Sequence, residues 1–108
     1  MPTPHHPSAA ARKVLRKLGG DLRDARRLRR LTMAVVADRA FTSRSTLQRV
    51  EAGDPAVSMG IYAAVLHALG LLEGLGSLAD PAHDPVGQSL ASGFLPQRVR
   101  LKTAKNGS

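Results

Sequence analysis

Arg44, Ser45, Gln48 and Arg49 stand at the spacing that brings side chains onto one side of a helix, while Leu47 and Val50 fall on the other side. A planar arginine fork in such a row can donate twice to guanine O6 and N7, a contact that contributes about 1–3 kcal/mol of discrimination between bases. The chemistry on offer is recognition of a base-pair edge. Turnover is not expected, because no Gly-rich phosphate loop, paired acidic dyad or nucleophile with a positioned base can be assembled from the chain. No cofactor or metal is expected either. His5 and His6 lack a third ligand and read as part of a solvated tail, and His67 reads as a surface or half-buried helix residue with no cysteine or carboxylate cluster beside it.

These side chains need a helix that is held firmly from behind. Residues 32–53 read as two short helices hinged at Ala40, Phe41 and Thr42. Thr32 can cap the first, with Val36 and Ala37 facing inward, and Ser43 can cap the second by accepting from a backbone N–H. Gly53 can take the left-handed conformation that terminates a helix, and Pro55 cannot continue one.

Upstream, Ser8 caps a long first helix that should run to about position 29, with Leu15, Leu18, Leu22 and Ala25 as its apolar stripe. Gly19 and Gly20 interrupt it. Two adjacent glycines cost about 2 kcal/mol of helix propensity relative to alanine, so either the helix breaks there or something packs closely against that face. Downstream, Ser58 caps a helix whose buried stripe should be Ile61, Val65, Ala68 and Leu69, with Tyr62 beside it, and Gly70 closes it. Residues 71–78 offer a short fifth helix. Its leucines, Leu71, Leu72, Leu75 and Leu78, exceed what one stripe of a small core needs, which leaves two readings, a subunit interface and an ordinary core.

The expected layout is a flexible tail over residues 1–7, one helical domain over residues 8–79, and an extended segment over residues 80–108 that is a candidate for a dimer or partner contact. Pro81, Pro85 and Pro96 with several glycines and serines argue for an irregular path after Asp80. The alternation of residues 97–102 marks the one candidate strand.

Charge sharpens the functional class. The net charge is +8, and nine of the sixteen basic residues lie between Arg12 and Arg30. Four more lie between Arg98 and Lys105, where no acid balances them. On the first helix Arg12, Lys13, Arg16, Arg23, Arg27 and Arg30 share the face opposite the leucines, which is either a solvated face or a set of phosphate contacts. An acidic membrane surface would also attract such a face, but Leu15, Leu18 and Leu22 would then have to serve both the bilayer and the core. No membrane association is expected. Only Phe41, Tyr62 and Phe94 are aromatic, which disfavours single strands bound by base stacking and leaves duplex DNA as the polyanion. With no cysteine, no apolar run long enough to span a bilayer and no leader pattern, the expected location is the cytoplasm.

From Leu22 through Leu69 the chain resembles the Xre-type helix-turn-helix domain of phage repressors and many bacterial regulators. The matching strings are LRDARRLRRLT, SRSTLQRVEAG and a capped helix ending HALG. The resemblance implies an all-α, five-helix lambda-repressor-like fold. It also implies that the helix beginning at Ser43 enters the major groove, with Arg44, Ser45, Gln48 and Arg49 reaching base edges. Thr32, Met33, Ser43, Thr46, Lys17 and Arg23 are then the candidates for phosphate contacts. Arg26 and Glu51 match a recurring pair between the first and third helices, which reads as structural. This sequence departs from the pattern at three positions: Met33 stands where Gln is usual, Phe41 where Gly is usual, and Thr42 where an apolar residue is usual.

A narrower resemblance is to HipB-like antitoxins. It rests on the basic lead-in helix before Leu22, on VEAGDPAVSMG, on ALGLLEGLGSLADP, and on DPVG followed by LPQRVR. It implies a bacterial, nucleoid-associated homodimer on a palindromic operator, repressing its own operon and binding a kinase-like toxin through surfaces outside the recognition helix. A stand-alone regulator of the Xre family is the alternative.

Overall fold

The computed structural model describes residues 6–94, which are all-helical, with no strand among them. The helices are α1 (Ala9–Leu28), α2 (Met33–Arg39), α3 (Arg44–Glu51), α4 (Met59–Ala68), α5 (Leu72–Gly76) and α6 (Pro85–Phe94), with a 3-10 turn at Pro81–His83. They form two compact units divided between Leu75 and Gly76. The strand candidate at residues 97–102 lies outside the described residues.

The first four helices begin alike. Ser8, Thr32, Ser43 and Ser58 each accept a hydrogen bond from the N–H three residues ahead, at 3.1–3.2 Å. These helices also end alike. After α1, Arg30 N–H donates to Arg27 O and Leu31 N–H to Arg26 O; after α2, Phe41 donates to Asp38 O and Thr42 to Ala37 O. After α3, Gly53 donates to Val50 O and Asp54 to Arg49 O; after α4, Gly70 donates to His67 O and Leu71 to Leu66 O. This is the paired closure of a Schellman cap, which needs a left-handed residue at its centre. Gly53 and Gly70 supply it at φ 73° and 77°, while Arg30 and Phe41 adopt it at φ 55° and 56° despite their side chains.

The core of the first unit is built by Leu22 and Ala25 of α1, Val36 and Ala37 of α2, Leu47 and Val50 of α3, and Val65, Leu66 and Leu69 on and after α4. Val57 joins it from the loop before α4. Tyr62 and Leu66 are buried with Val65, whereas Ile61 and Ala68 are only half-buried, so the inner face of α4 is turned from the expected stripe. The reason lies in the tyrosine. Its hydroxyl donates to the Asp54 carbonyl at 2.8 Å, which satisfies the polar end of an otherwise buried ring. Burial raises the Tyr62 pKa, and the Asp54 charge adds to the shift.

Helix α1 runs unbroken through Gly19 and Gly20, and the reason is close packing at Gly19. A Cβ there would sit 2.6 Å from Gly53 N and Val50 O and 2.7 Å from Glu51 O. The reciprocal position is as tight, since a Cβ on Gly53 would sit 2.6 Å from Arg16 N and collide with the carbonyl of Leu15. Backbone thus meets backbone where α1 crosses the end of α3. Gly20 has open space beside it.

The expectation of an extended path from Asp80 is corrected over residues 81–94. Asp80 accepts from Ala82 N at 2.8 Å and Asp84 from Gly87 N at 2.9 Å, so each aspartate caps the turn that follows it. Pro81 and Pro85 occupy the first positions of those turns, where a proline gives up no hydrogen bond. The prolines start helical structure here instead of ending it. Helix α5 is also shorter than residues 71–78, and Leu78 lies beyond it.

Candidate nucleic-acid interface

Helix α3 separates its two faces cleanly. Leu47 and Val50 are wholly buried, while Arg44, Ser45, Gln48 and Arg49 are exposed along the outer side. Contacts with α1 and α2 hold the helix from behind. Its first turn carries a hydroxyl cluster: Ser43 Oγ accepts from Thr46 N–H, donates to Thr46 Oγ1 at 2.9 Å, and lies 3.1 Å from Ser45 Oγ. Ser43 has one hydroxyl proton, so with that proton on Thr46 it is Ser45 that donates to Ser43. Thr46 then keeps a free proton for an anion, and Ser45 keeps acceptor lone pairs for a base amine.

The far end of α3 is held by charge as well as by the glycine crossing. Arg26 of α1 donates from Nε to Glu51 Oε2 at 2.7 Å and from Nη2 to Oε1 at 3.1 Å. Its remaining arm, Nη1, donates to the Leu31 carbonyl at 3.2 Å. The hydrogen bonds to Glu51 hold the Arg26 pKa above its ordinary value against the opposing cost of burial. With every arm of the guanidinium engaged, Arg26 belongs to the frame. Beside the pair, a shallow cleft of about 230 Å3 is lined by Arg23, Arg27, Met33 and Gln48 among others. It brings two cations of α1 next to a base-reading candidate of α3.

The phosphate candidates fall into different states. Arg23 has no ion pair among the described residues, whereas Lys17 is paired with Asp21 at 2.7 Å on an exposed turn. That hydrogen bond, with the Asp21 charge, raises the Lys17 pKa. Thr32 accepts from Val35 N–H, which leaves its hydroxyl proton outward. Met33 is half-buried against the core and its thioether has no proton to donate, so the usual glutamine contact has no counterpart in this side chain.

Arg49 differs from its three neighbours on the exposed face of α3. Its Nε donates to Asp54 Oδ2 at 2.8 Å, and this bond, followed by the Ala56 N–H, holds the Asp54 carboxyl below its ordinary pKa. Nothing in the spacing of residues 44–49 signals that partner, because Asp54 lies beyond the helix end in a segment that reads only as a stop. An acid two residues before an Ala-Val-Ser cap, after a glycine stop, is the signal that could have found it.

The four leucine candidates also separate. Leu75 packs against the core, Leu71 and Leu72 are exposed at the edge of the first unit, and Leu78 is exposed in the second. Near Leu72 a mostly apolar hollow of about 380 Å3 is lined by Gly60, Ala63 and Ala64 of α4 and by Phe41, which is 95 % exposed, with Arg39 and His67 also at its wall. Leu18 and Leu22 of α1 are taken up by the core, which removes two of the three side chains a membrane contact would need. No helix among the described residues is long and apolar enough to cross a membrane, and no group of metal-ligating residues occurs among them.

Compared with known proteins, residues 17–75 match the family model of a helix-turn-helix domain. No curated protein and no solved structure matches the chain.

Proposed function

The chain belongs to the helix-turn-helix domain family, and on that premise we propose that it is a sequence-specific DNA-binding repressor. The observation that carries this reading is the two-faced α3, with Leu47 and Val50 in the core and Arg44, Ser45, Gln48 and Arg49 outside. Arg44 and Gln48 are the first candidates for base edges, Arg44 because it has no ion pair among the described residues and Gln48 because its amide can pair with adenine. Arg23, Thr32 and Thr46 hold the flanking phosphates, with Ser43 as the cap that aligns the first turn. Lys17 is a further phosphate candidate once it leaves Asp21.

The active form on this reading is a homodimer whose recognition helices enter successive major grooves about 34 Å apart on a palindromic operator. Leu71 and Leu72, with the hollow beside Leu72, are the apolar surface of the first unit that such a contact would cover; the segment from residue 80 is the second candidate. The short strings shared with HipB-like antitoxins support a further role in repressing its own operon and binding a kinase-like toxin.

Binding to its own upstream DNA tests the repressor reading. Arg44→Ala should remove sequence preference, whereas Arg23→Ala should weaken specific and random duplexes alike and reduce the salt slope by about one. Equal losses on both kinds of DNA for both variants would sink it. Co-expression with the product of the adjacent gene tests the antitoxin role: absence of a complex and of any relief of toxicity leaves a stand-alone regulator.

A further inference from the structure

Asp54 is fixed to the frame from four directions. Its N–H donates to the Arg49 carbonyl at 3.0 Å, its carbonyl accepts from the Tyr62 hydroxyl at 2.8 Å, and its Oδ1 accepts from Ala56 N–H at 2.8 Å. The residue before it is Gly53, seated on the backbone of α1. The remaining carboxylate oxygen, Oδ2, takes Arg49 Nε. A carboxylate held this way cannot follow a moving arginine; it dictates where the arginine stays.

The atom it takes matters. Nε is the inner donor of the guanidinium, and the two terminal nitrogens of Arg49 have no partner among the described residues. An arginine that meets guanine end-on uses those two terminal nitrogens for O6 and N7. The Arg49 side chain is 51 % exposed, so the fork stands in solvent while its neck is bound. An unheld arginine would have to surrender its rotamer freedom on meeting DNA; here the protein has already removed much of it.

We propose that Asp54 is a positioning residue for base recognition: by holding Nε it fixes the plane of the Arg49 guanidinium and presents the terminal nitrogens to a guanine, setting preference at one base pair of each half-site without touching DNA. This rests on the reading of α3 as the DNA-reading helix.

The test is selection from a randomised duplex library with the full chain, followed by affinity measurements on the selected and random duplexes. Asp54→Asn keeps an acceptor for Ala56 N–H and loses the charged partner of Arg49. It should lower the guanine preference at a single position about tenfold, while affinity for random duplexes stays equal or rises because a negative charge is gone. Arg49→Ala should lose preference at that same position, and the double variant should lose no more than Arg49→Ala alone, the mark of one coupled unit. Asp54→Ser is the second variant, with the same expectation. Unchanged guanine preference in folded Asp54→Asn or Asp54→Ser, with preference lost in Arg49→Ala, overturns the proposal. Tighter binding at that position, which would make Asp54 a mask over Arg49, overturns it as well. Failure of the underlying reading has a different signature: Arg49→Ala and Arg44→Ala would both leave every base preference intact.

Discussion

The turn that leads into α3 and the turn that leaves it close with the same two hydrogen bonds, yet one is built on Phe41 and the other on Gly53. At Phe41 the side chain points into solvent, so the left-handed backbone is the only cost of carrying it. At Gly53 a side chain would meet the backbone of Leu15 and Arg16 as well. Glycine is therefore favoured on two grounds at the exit of α3 and on only one at its entrance, where Phe41 stands. The helix is clamped at one end and merely capped at the other.

Gly53→Ala is the substitution that should break this contrast most forcefully. It combines a left-handed cost of about 1–2 kcal/mol with overpacking of about 1–3 kcal/mol against atoms that cannot rotate away. A loss of about 3 kcal/mol in denaturant unfolding is the expected outcome, and a loss below about 1 kcal/mol would show that the α1 crossing yields. Arg26→Ala attacks the same clamp through charge. It leaves Glu51 buried without its partner and should cost about 3 kcal/mol, read from the midpoint of thermal or denaturant unfolding.

The entrance should respond in the opposite direction. Phe41→Gly relieves about 1–2 kcal/mol of left-handed strain and returns about 0.5–1 kcal/mol of glycine entropy, for a net gain of about 0.5 kcal/mol. Destabilisation by that change would mean that Phe41 is covered in the form that unfolds, and concentration dependence of the midpoint would identify a second copy as the cover.

The smallest effect concerns pH. The Asp54 carboxyl is held below its ordinary value, so the folded state binds its proton less tightly than the unfolded chain does. Its contribution is complete above about pH 4, the ordinary aspartate value, and fades as pH falls through the lower folded pKa. Carboxyl titration followed by NMR should show this depression in the wild type and a smaller one in Arg49→Ala, where only the Ala56 N–H still holds the carboxylate.

Much of the frame was legible because its causes are local. The four capping hydroxyls, the stops at Gly53 and Gly70, and the inward placing of Leu47 and Val50 each depend on residues within one turn of chain. Gly19 was ambiguous because its partner is more than thirty residues away, and helix propensity alone says only that a glycine pair is expensive. Pro81 and Pro85 misled because a proline ends one helix and begins another with equal ease; the aspartate before each decides which. On the candidate site, the row of exposed polar side chains followed from helical spacing, and Arg26 and Glu51 from family pattern. That Arg49 alone among the four is held by an ion pair did not, since its partner lies across the end of the helix with no periodic relation to it.

If α3 reads DNA as proposed, the separation of duties along it bears on how such a protein can change its target. Arg44 and Gln48 carry no share of the clamp, so a lineage could exchange them one at a time and wander among operators while the molecule continues to fold. Arg49 is less free. Replacing it would leave Asp54 Oδ2 without its partner, so on the proposed reading a new preference at that base pair would be acquired in two coordinated steps, which makes it the slowest letter of the site to rewrite.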